Sequence, residues 1–140
     1  MYDTIVVPTD GSEAAGEAAN HGMRQAAAHD ARLVFLAVVE MSGTAAPEVR
    51  DGEAVEDQRA TRRSEVESLV AEANSAGIDA EGVVETGTPS RVILEQASAH
   101  SADLIIMATS ARSGVGRFLY GSVTEQIIRE GNTPVLAIQR

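Results

Sequence analysis

A chain of 140 residues is long enough for one ordinary domain with a buried core. Its 44% hydrophobic and 23% charged residues argue against wholesale disorder. There is no cysteine, so disulfide frameworks, thiolate zinc sites and cysteine nucleophiles are excluded. The 21 acidic residues against 11 basic ones give a net charge of −10, which disfavours nucleic acid and anionic membrane surfaces as partners. All 11 bases are arginine. A P-loop lysine, a Schiff-base lysine and a lysine general base are therefore out of reach. An acid-rich, alanine-rich, lysine-free chain with 3% aromatics fits a halophilic protein, in which concentrated salt screens the self-repulsion. No apolar run approaches the roughly 20 residues of a membrane helix. Met1 to Thr4 carries no basic leader, so a soluble, cytoplasmic protein is expected.

Apolar runs alternate with helical stretches along the chain. Ile5 to Pro8 reads as strand one. Ser12 caps a helix from Glu13 to about Ala28, with Ala14, Ala15, Ala18, Ala19 and Met23 as its packing face. Leu33 to Val39 is apolar throughout and reads as a fully buried strand. Met41 to Gly52, rich in Gly, Ala, Thr and Pro, reads as a mobile loop. The next helix covers about Ala54 to Ser75, with Val66, Leu69, Val70 and Ala73 buried and Arg62, Arg63, Glu65 and Glu67 wet. Gly77 stops it.

Ala80 to Glu85 is strand three. Thr88 and Pro89 start a helix as N-cap and first residue, and Val92, Ile93, Leu94 and Ala97 are its apolar residues. Asp103 to Ala108 is strand four, followed by a glycine-bearing loop from Thr109 to Tyr120. Ser122 and Glu125 have capping-box spacing for a helix ending at Gly131, and Val135 to Ile138 is the last strand. The β-α-β-α-β-α-β-α-β order predicts an α/β fold with one open parallel sheet and helices on both faces. Its crevice would lie outside the strand C-termini, near Asp10, Val38 and Ala108 to Ala111. Without internal repeats, residues 1–140 read as one domain.

The segment joining strand four to the last helix is the richest in candidate chemistry. A loop that feeds a helix N-terminus suits an anion, because free N–H groups and the helix dipole meet there. Generic phosphate motifs fit poorly. Gly114 and Gly116 lack the third glycine of a dinucleotide fingerprint, and Gly116 and Gly121 have P-loop spacing but are followed by Ser122 and Val123 rather than Lys and Ser/Thr. Residue chemistry leaves two readings open: Ser122 and the glycines hold phosphate, or they merely cap and turn the chain. Asp10 is similarly open. It can accept from a ribose hydroxyl or adenine amine, or simply bind nearby backbone N–H groups. Arg112 and Arg117 can meet phosphate oxygens or stay solvated. His21, His29 and His100 show no metal-ligand spacing, and Ser12 and Ser122 have no evident histidine partner.

Three separated segments carry a resemblance to a known family. Ile5 to Ser12, Leu33 to Val39, and Gly114 to Glu125 followed by Asn132 to Ile138 resemble the opening, second-strand and closing signatures of the universal stress protein family. The resemblance runs end to end. It implies a Rossmann-like sheet of order 3-2-1-4-5, of the adenine nucleotide α-hydrolase-like kind, and homodimers paired through the last strand, here Val135 to Ile138. ATP-binding members carry Gly, two residues, Gly, nine residues, then Gly with Ser or Thr. The final pair here is Gly121 and Ser122, whereas the first two positions are Ala108 and Ala111.

Carried over residue by residue, the family's pattern places Pro8, Thr9 and Asp10 beside adenine and ribose, the Val38 backbone at the adenine edge, and Met107 in the pocket wall. Ala108, Ser110, Ala111, Gly121, Ser122, Val123 and Thr124 fall on the phosphate side. The resemblance thus implies a stress-response regulator that binds ATP, with any Mg²⁺ riding on the phosphates. The alternative is a member that has lost ATP and acts through its dimer surface and protein partners. Efficient hydrolysis is not expected, because there is no lysine and no evident base beyond Asp10. An α-hydrolase-type enzyme would need a Gly-rich first loop or a histidine motif, and Pro8 to Ser12 has neither.

Overall fold

The computed structural model of the protein describes residues 2–40, 51–109 and 121–139. In chain order the elements are β1 (Thr4–Thr9), α1 (Glu13–His29), β2 (Arg32–Val39), α2 (Asp51–Ser75), β3 (Ala80–Thr86), α3 (Pro89–Ala99), β4 (Leu104–Ala108), α4 (Gly121–Glu130) and β5 (Val135–Ile138). The strands form one five-stranded sheet of order β3-β2-β1-β4-β5. All four pairings are parallel. The fold expected from the alternating pattern is the fold observed.

Alternation along each strand builds two cores. Ile5, Val7, Leu33, Phe35, Ala37, Leu104 and Ile106 face α1 and α2, whose Ala18, Ala19, Val66 and Ala73 close that side. Val6, Val34, Leu36, Val38, Ile105 and Met107 face the other side, with Val92, Ile93 and Ala97 of α3 and Ile127 of α4. Phe35, Ile5, Leu33 and Ile105 are fully buried. Each such side chain contributes roughly 1.5–3 kcal/mol of transfer free energy. The layers approach closely where β3 meets α2: a Cβ built on Gly82 would lie 2.1 Å from Val66 Cγ1. No larger residue fits there unless Val66 moves.

Three helices end in the same left-handed turn. The Ala31 N–H donates to the Ala26 carbonyl at 2.9 Å, the Ile78 N–H to Ala73 at 3.0 Å and the Ala102 N–H to Ala97 at 2.8 Å. In each, the preceding residue has positive φ: Asp30 at 55°, Gly77 at 84° and Ser101 at 53°. Gly77 is the stop expected from sequence. Asp30 and Ser101 adopt the same backbone without being glycine, and for that reason they left no sequence signal.

Several boundaries differ from expectation. Asp51 and Gly52 belong to α2 rather than to a loop. Asp103 precedes β4, because its N–H donates to the Thr4 carbonyl and its carboxylate is engaged elsewhere. Gly121 is already helical, so Ser122 lies inside α4 and is not the N-cap of a capping box. Thr88 does occupy the N-cap of α3, but its hydroxyl makes no capping bond. The helix start rests on Pro89, whose fixed φ suits a first helical position.

Candidate functional site

The strand order reverses direction between β1 and β4, and such a switch point opens a crevice beyond the strand C-termini. The turn after β1 forms one wall. Ser12 caps α1, its Oγ accepting from the Ala15 N–H at 3.1 Å. Asp10 Oδ1 accepts from the Ser12 N–H at 3.0 Å, and Thr9 Oγ1 from the Gly11 N–H at 3.3 Å. Thr9 and Asp10 are 3% and 1% exposed.

The second oxygen of Asp10 is the unusual atom of the site. Oδ2 is buried and has no hydrogen-bond partner among the described residues. A buried acceptor left unmade costs about 1–3 kcal/mol, and in native proteins such an atom calls for a specific explanation. The bland reading of Asp10, in which it satisfies only its own turn, accounts for Oδ1 and leaves Oδ2 unexplained.

A second orphan lies across the junction. α4 starts against the end of β4, since a Cβ built on Gly121 would lie 3.7 Å from the Thr109 carbonyl. Thr124, in the first turn of α4, is 3% exposed, and its Oγ1 is buried without a partner among the described residues. Ser122 is exposed and Val123 half-buried. The N-terminal turn of α4 therefore presents backbone N–H groups that lack an intrahelical partner, beside one hydroxyl without a partner among the described residues.

The remaining expected residues fall around these two groups. Pro8 lies within the buried run of β1, beside Leu36. Met107 is fully buried on the α3/α4 side, as is Val38. The β1–β2 register ends at Thr9 and Ala37, one residue short of Val38. The Val39 carbonyl is taken by the Gly87 N–H on the β3 side. By strand alternation, the peptide groups of Val38 face the β1 side, at the end of that ladder.

Ala108 is fully buried in β4 opposite Ile138, and its φ is not positive. Alanine at this position therefore carries no left-handed strain. Ser110, Ala111, Arg112, Gly114, Gly116 and Arg117 lie outside the described residues.

Sequence reasoning missed two residues of α2. Arg62 and Glu65 were expected on its wet side, but both are half-buried and lie against the β1–α1 turn. Arg62 Nη1 donates to the Asp10 carbonyl at 2.8 Å and ion-pairs with Glu65. One turn earlier, Arg59 Nη1 donates to Thr86 Oγ1 at 2.7 Å, at the C-terminal end of β3. A helical period places these residues together on α2, but only the tertiary packing shows which side meets the turn. Among the described residues no group of His, Asp and Glu is placed to hold a metal ion, and no helix is long and apolar enough to cross a membrane.

Comparison with known proteins agrees with this architecture. The model of the universal stress protein family matches residues 1–139. A universal stress protein of Methanocaldococcus jannaschii is 32% identical over 142 residues, covering 100% of this chain and 84% of the relative. The structure of a universal stress family protein from Burkholderia pseudomallei superposes with a TM-score of 0.81 at 27% identity, over 98% of this chain and 96% of that one. A universal stress protein solved in complex with cAMP superposes with a TM-score of 0.71 at 27% identity, over 99% of this chain and 97% of that one. With its parallel sheet, switch-point crevice and whole-length match, the chain belongs to the universal stress protein family.

Proposed function

We propose that the crevice between β1 and β4 binds an adenine nucleotide, ATP in particular, and that the chain is a cytoplasmic regulator rather than an efficient enzyme. The observation that carries this reading is the unpartnered, buried Oδ2 of Asp10. A ribose hydroxyl or an adenine amine supplies the donor that this oxygen lacks. Thr9 and Pro8 flank it, the peptide edge of Val38 reads adenine, and Met107 and Ala108 line the floor. Gly121, Ser122, Val123 and Thr124 take the phosphates at the N-terminus of α4, where the dipole favours negative charge and Thr124 Oγ1 has spare capacity. Any Mg²⁺ rides on the phosphates, because the described residues offer it no ligand cluster. The likeness to a relative solved with cAMP supports the adenine class.

Residues outside the crevice support one further part of the reading. β5 is the edge of the sheet, with Leu136 37% exposed, and Ile128 of α4 is 57% exposed. A bare apolar edge is covered when a second copy pairs with Val135–Ile138, so the protein is a homodimer in this account. A second reading, in which nucleotide has been lost and the dimer surface carries function, is favoured by alanine at 108 and 111.

The test uses protein as purified from cells. Denaturation releases any bound nucleotide for identification by mass, and the stripped protein is titrated with ATP and Mg²⁺ at molar salt. Retained nucleotide or saturable micromolar ATP binding upholds the first reading. An empty protein without saturable binding upholds the second.

A further inference from the structure

The turn that presents Asp10 is held from outside by α2. Gly11 has a φ of 80°, and a Cβ built on it would lie 2.6 Å from Arg62 Nη1 and 2.6 Å from Glu65 Oε2. The guanidinium and carboxylate thus lie directly on the turn. Arg62 Nη1 donates to the Asp10 carbonyl, while Glu65 holds the same nitrogen. Within the turn, Oδ1 of Asp10 is fixed by the Ser12 N–H. Backbone and carboxylate are therefore fixed at separate points, and Oδ2 is the acceptor without a partner among the described residues.

We infer that Arg62 is a positioning residue for the nucleotide site, with Glu65 as its orienting partner: it holds the Asp10 carbonyl so that Oδ2 points at the ligand's donor. The inference rests on the nucleotide reading above. It also makes α2 part of the site, although α2 contributes no residue from the family's signature segments. A charged donor on a half-buried carbonyl is a strong tether, because the pair is shielded from water on the turn side. Through this tether, a shift of α2 would alter nucleotide affinity, and nucleotide binding would restrain α2 by the same factor.

The experiment compares wild type, Arg62→Ala, Arg62→Lys, Asp10→Ala and the Arg62→Ala/Asp10→Ala double variant. Amide hydrogen exchange on the ligand-free proteins comes first. Arg62→Ala is expected to speed exchange at Ser12 relative to the Ile5 to Val7 amides, and unchanged exchange at Ser12 overturns the inference. Calorimetric titration with ATP and Mg²⁺ follows. Arg62→Ala is expected to weaken ATP about tenfold, the scale of one charge-assisted hydrogen bond. Arg62→Lys, whose ammonium can reach the same carbonyl, is expected to recover most of that loss. Because Arg62 acts through Asp10, its removal is expected to cost little once Asp10 is already alanine. A merely structural role would give additive losses and no rescue by lysine, and either result overturns the inference. If wild type binds ATP while Arg62→Ala matches it, the inference alone falls. If wild type does not bind ATP, the nucleotide reading falls and takes this inference with it.

Discussion

Two aspartates stand at opposite ends of β1, and their carboxylates are treated very differently. At the N-terminal end, Asp103 Oδ2 accepts from the Asp3 N–H at 2.8 Å and the Thr4 N–H at 3.0 Å. The Asp103 N–H in turn donates to the Thr4 carbonyl, so the residue ties β1 to the start of β4. At the C-terminal end, Asp10 is more deeply buried, yet one of its oxygens has no partner among the described residues. Asp103 takes both bonds on one oxygen and is only half-buried, so its other oxygen can reach water, whereas the second oxygen of Asp10 is shut away from it. A carboxylate that is buried and left half-made points to a donor from outside the chain. In the proposed reading, the two ends of one strand thus separate structure from binding.

The largest expected effect breaks the binding end. Asp10→Ala weakens ATP at least tenfold, measured by titration calorimetry, because the ligand's donor loses its acceptor. The thermal midpoint of the ligand-free variant stays close to wild type, since the same change removes an unsatisfied buried oxygen. At the other end the pattern inverts. Asp103→Ala lowers the thermal midpoint at pH 7 and leaves ATP affinity unchanged.

Asp103 also carries a pH signature. The Asp3 N–H first, and then the Thr4 N–H, hold its carboxyl below the ordinary aspartate value of 3.8. Its folded pKa is depressed, so its contribution is fully present above the unfolded pKa and lost as pH falls from there through the folded value. Acid titration of stability is therefore shallower below pH 3.8 in Asp103→Asn than in wild type. Parallel acid curves would remove Asp103 from the account.

A smaller effect sharpens the phosphate side. Among the described residues a methyl on Gly121 meets only the Thr109 carbonyl, at an ordinary 3.7 Å, so Gly121→Ala is expected to fold. It weakens ATP severalfold by crowding the phosphate approach, whereas AMP, with fewer phosphates, is affected less. Gly121→Val extends the same obstruction. The smallest effect lies away from both ends. Ser101→Gly relieves a left-handed serine and raises stability by about 0.5–1 kcal/mol in chemical denaturation, with no change in ligand affinity.

Most of the scaffold was legible in the sequence because its signals are local. Uniformly apolar Leu33 to Val39 can only be a covered strand, and Gly77 marks a helix stop by its own backbone freedom. What was hidden either leaves no residue-type signal or depends on partners distant in sequence. Asp30 and Ser101 end helices as glycine would, in turns closed by the next residue's N–H on the last helical turn. Arg62 and Glu65 look like ordinary surface charges on α2, and their place on the Asp10 turn follows only from how that helix seats on the sheet. Asp10 itself was visible as a candidate. That one of its oxygens is satisfied and the other is not could be learned only from the folded turn.

The most direct test of the central claim is a crystal structure of the protein grown with ATP and Mg²⁺. The account predicts a ribose hydroxyl or the adenine amine within about 2.6–3.1 Å of Asp10 Oδ2, and the phosphates at the N-terminus of α4. A nucleotide bound elsewhere, or a crevice in which Asp10 Oδ2 is satisfied by the protein's own residues with ATP in excess, would contradict it.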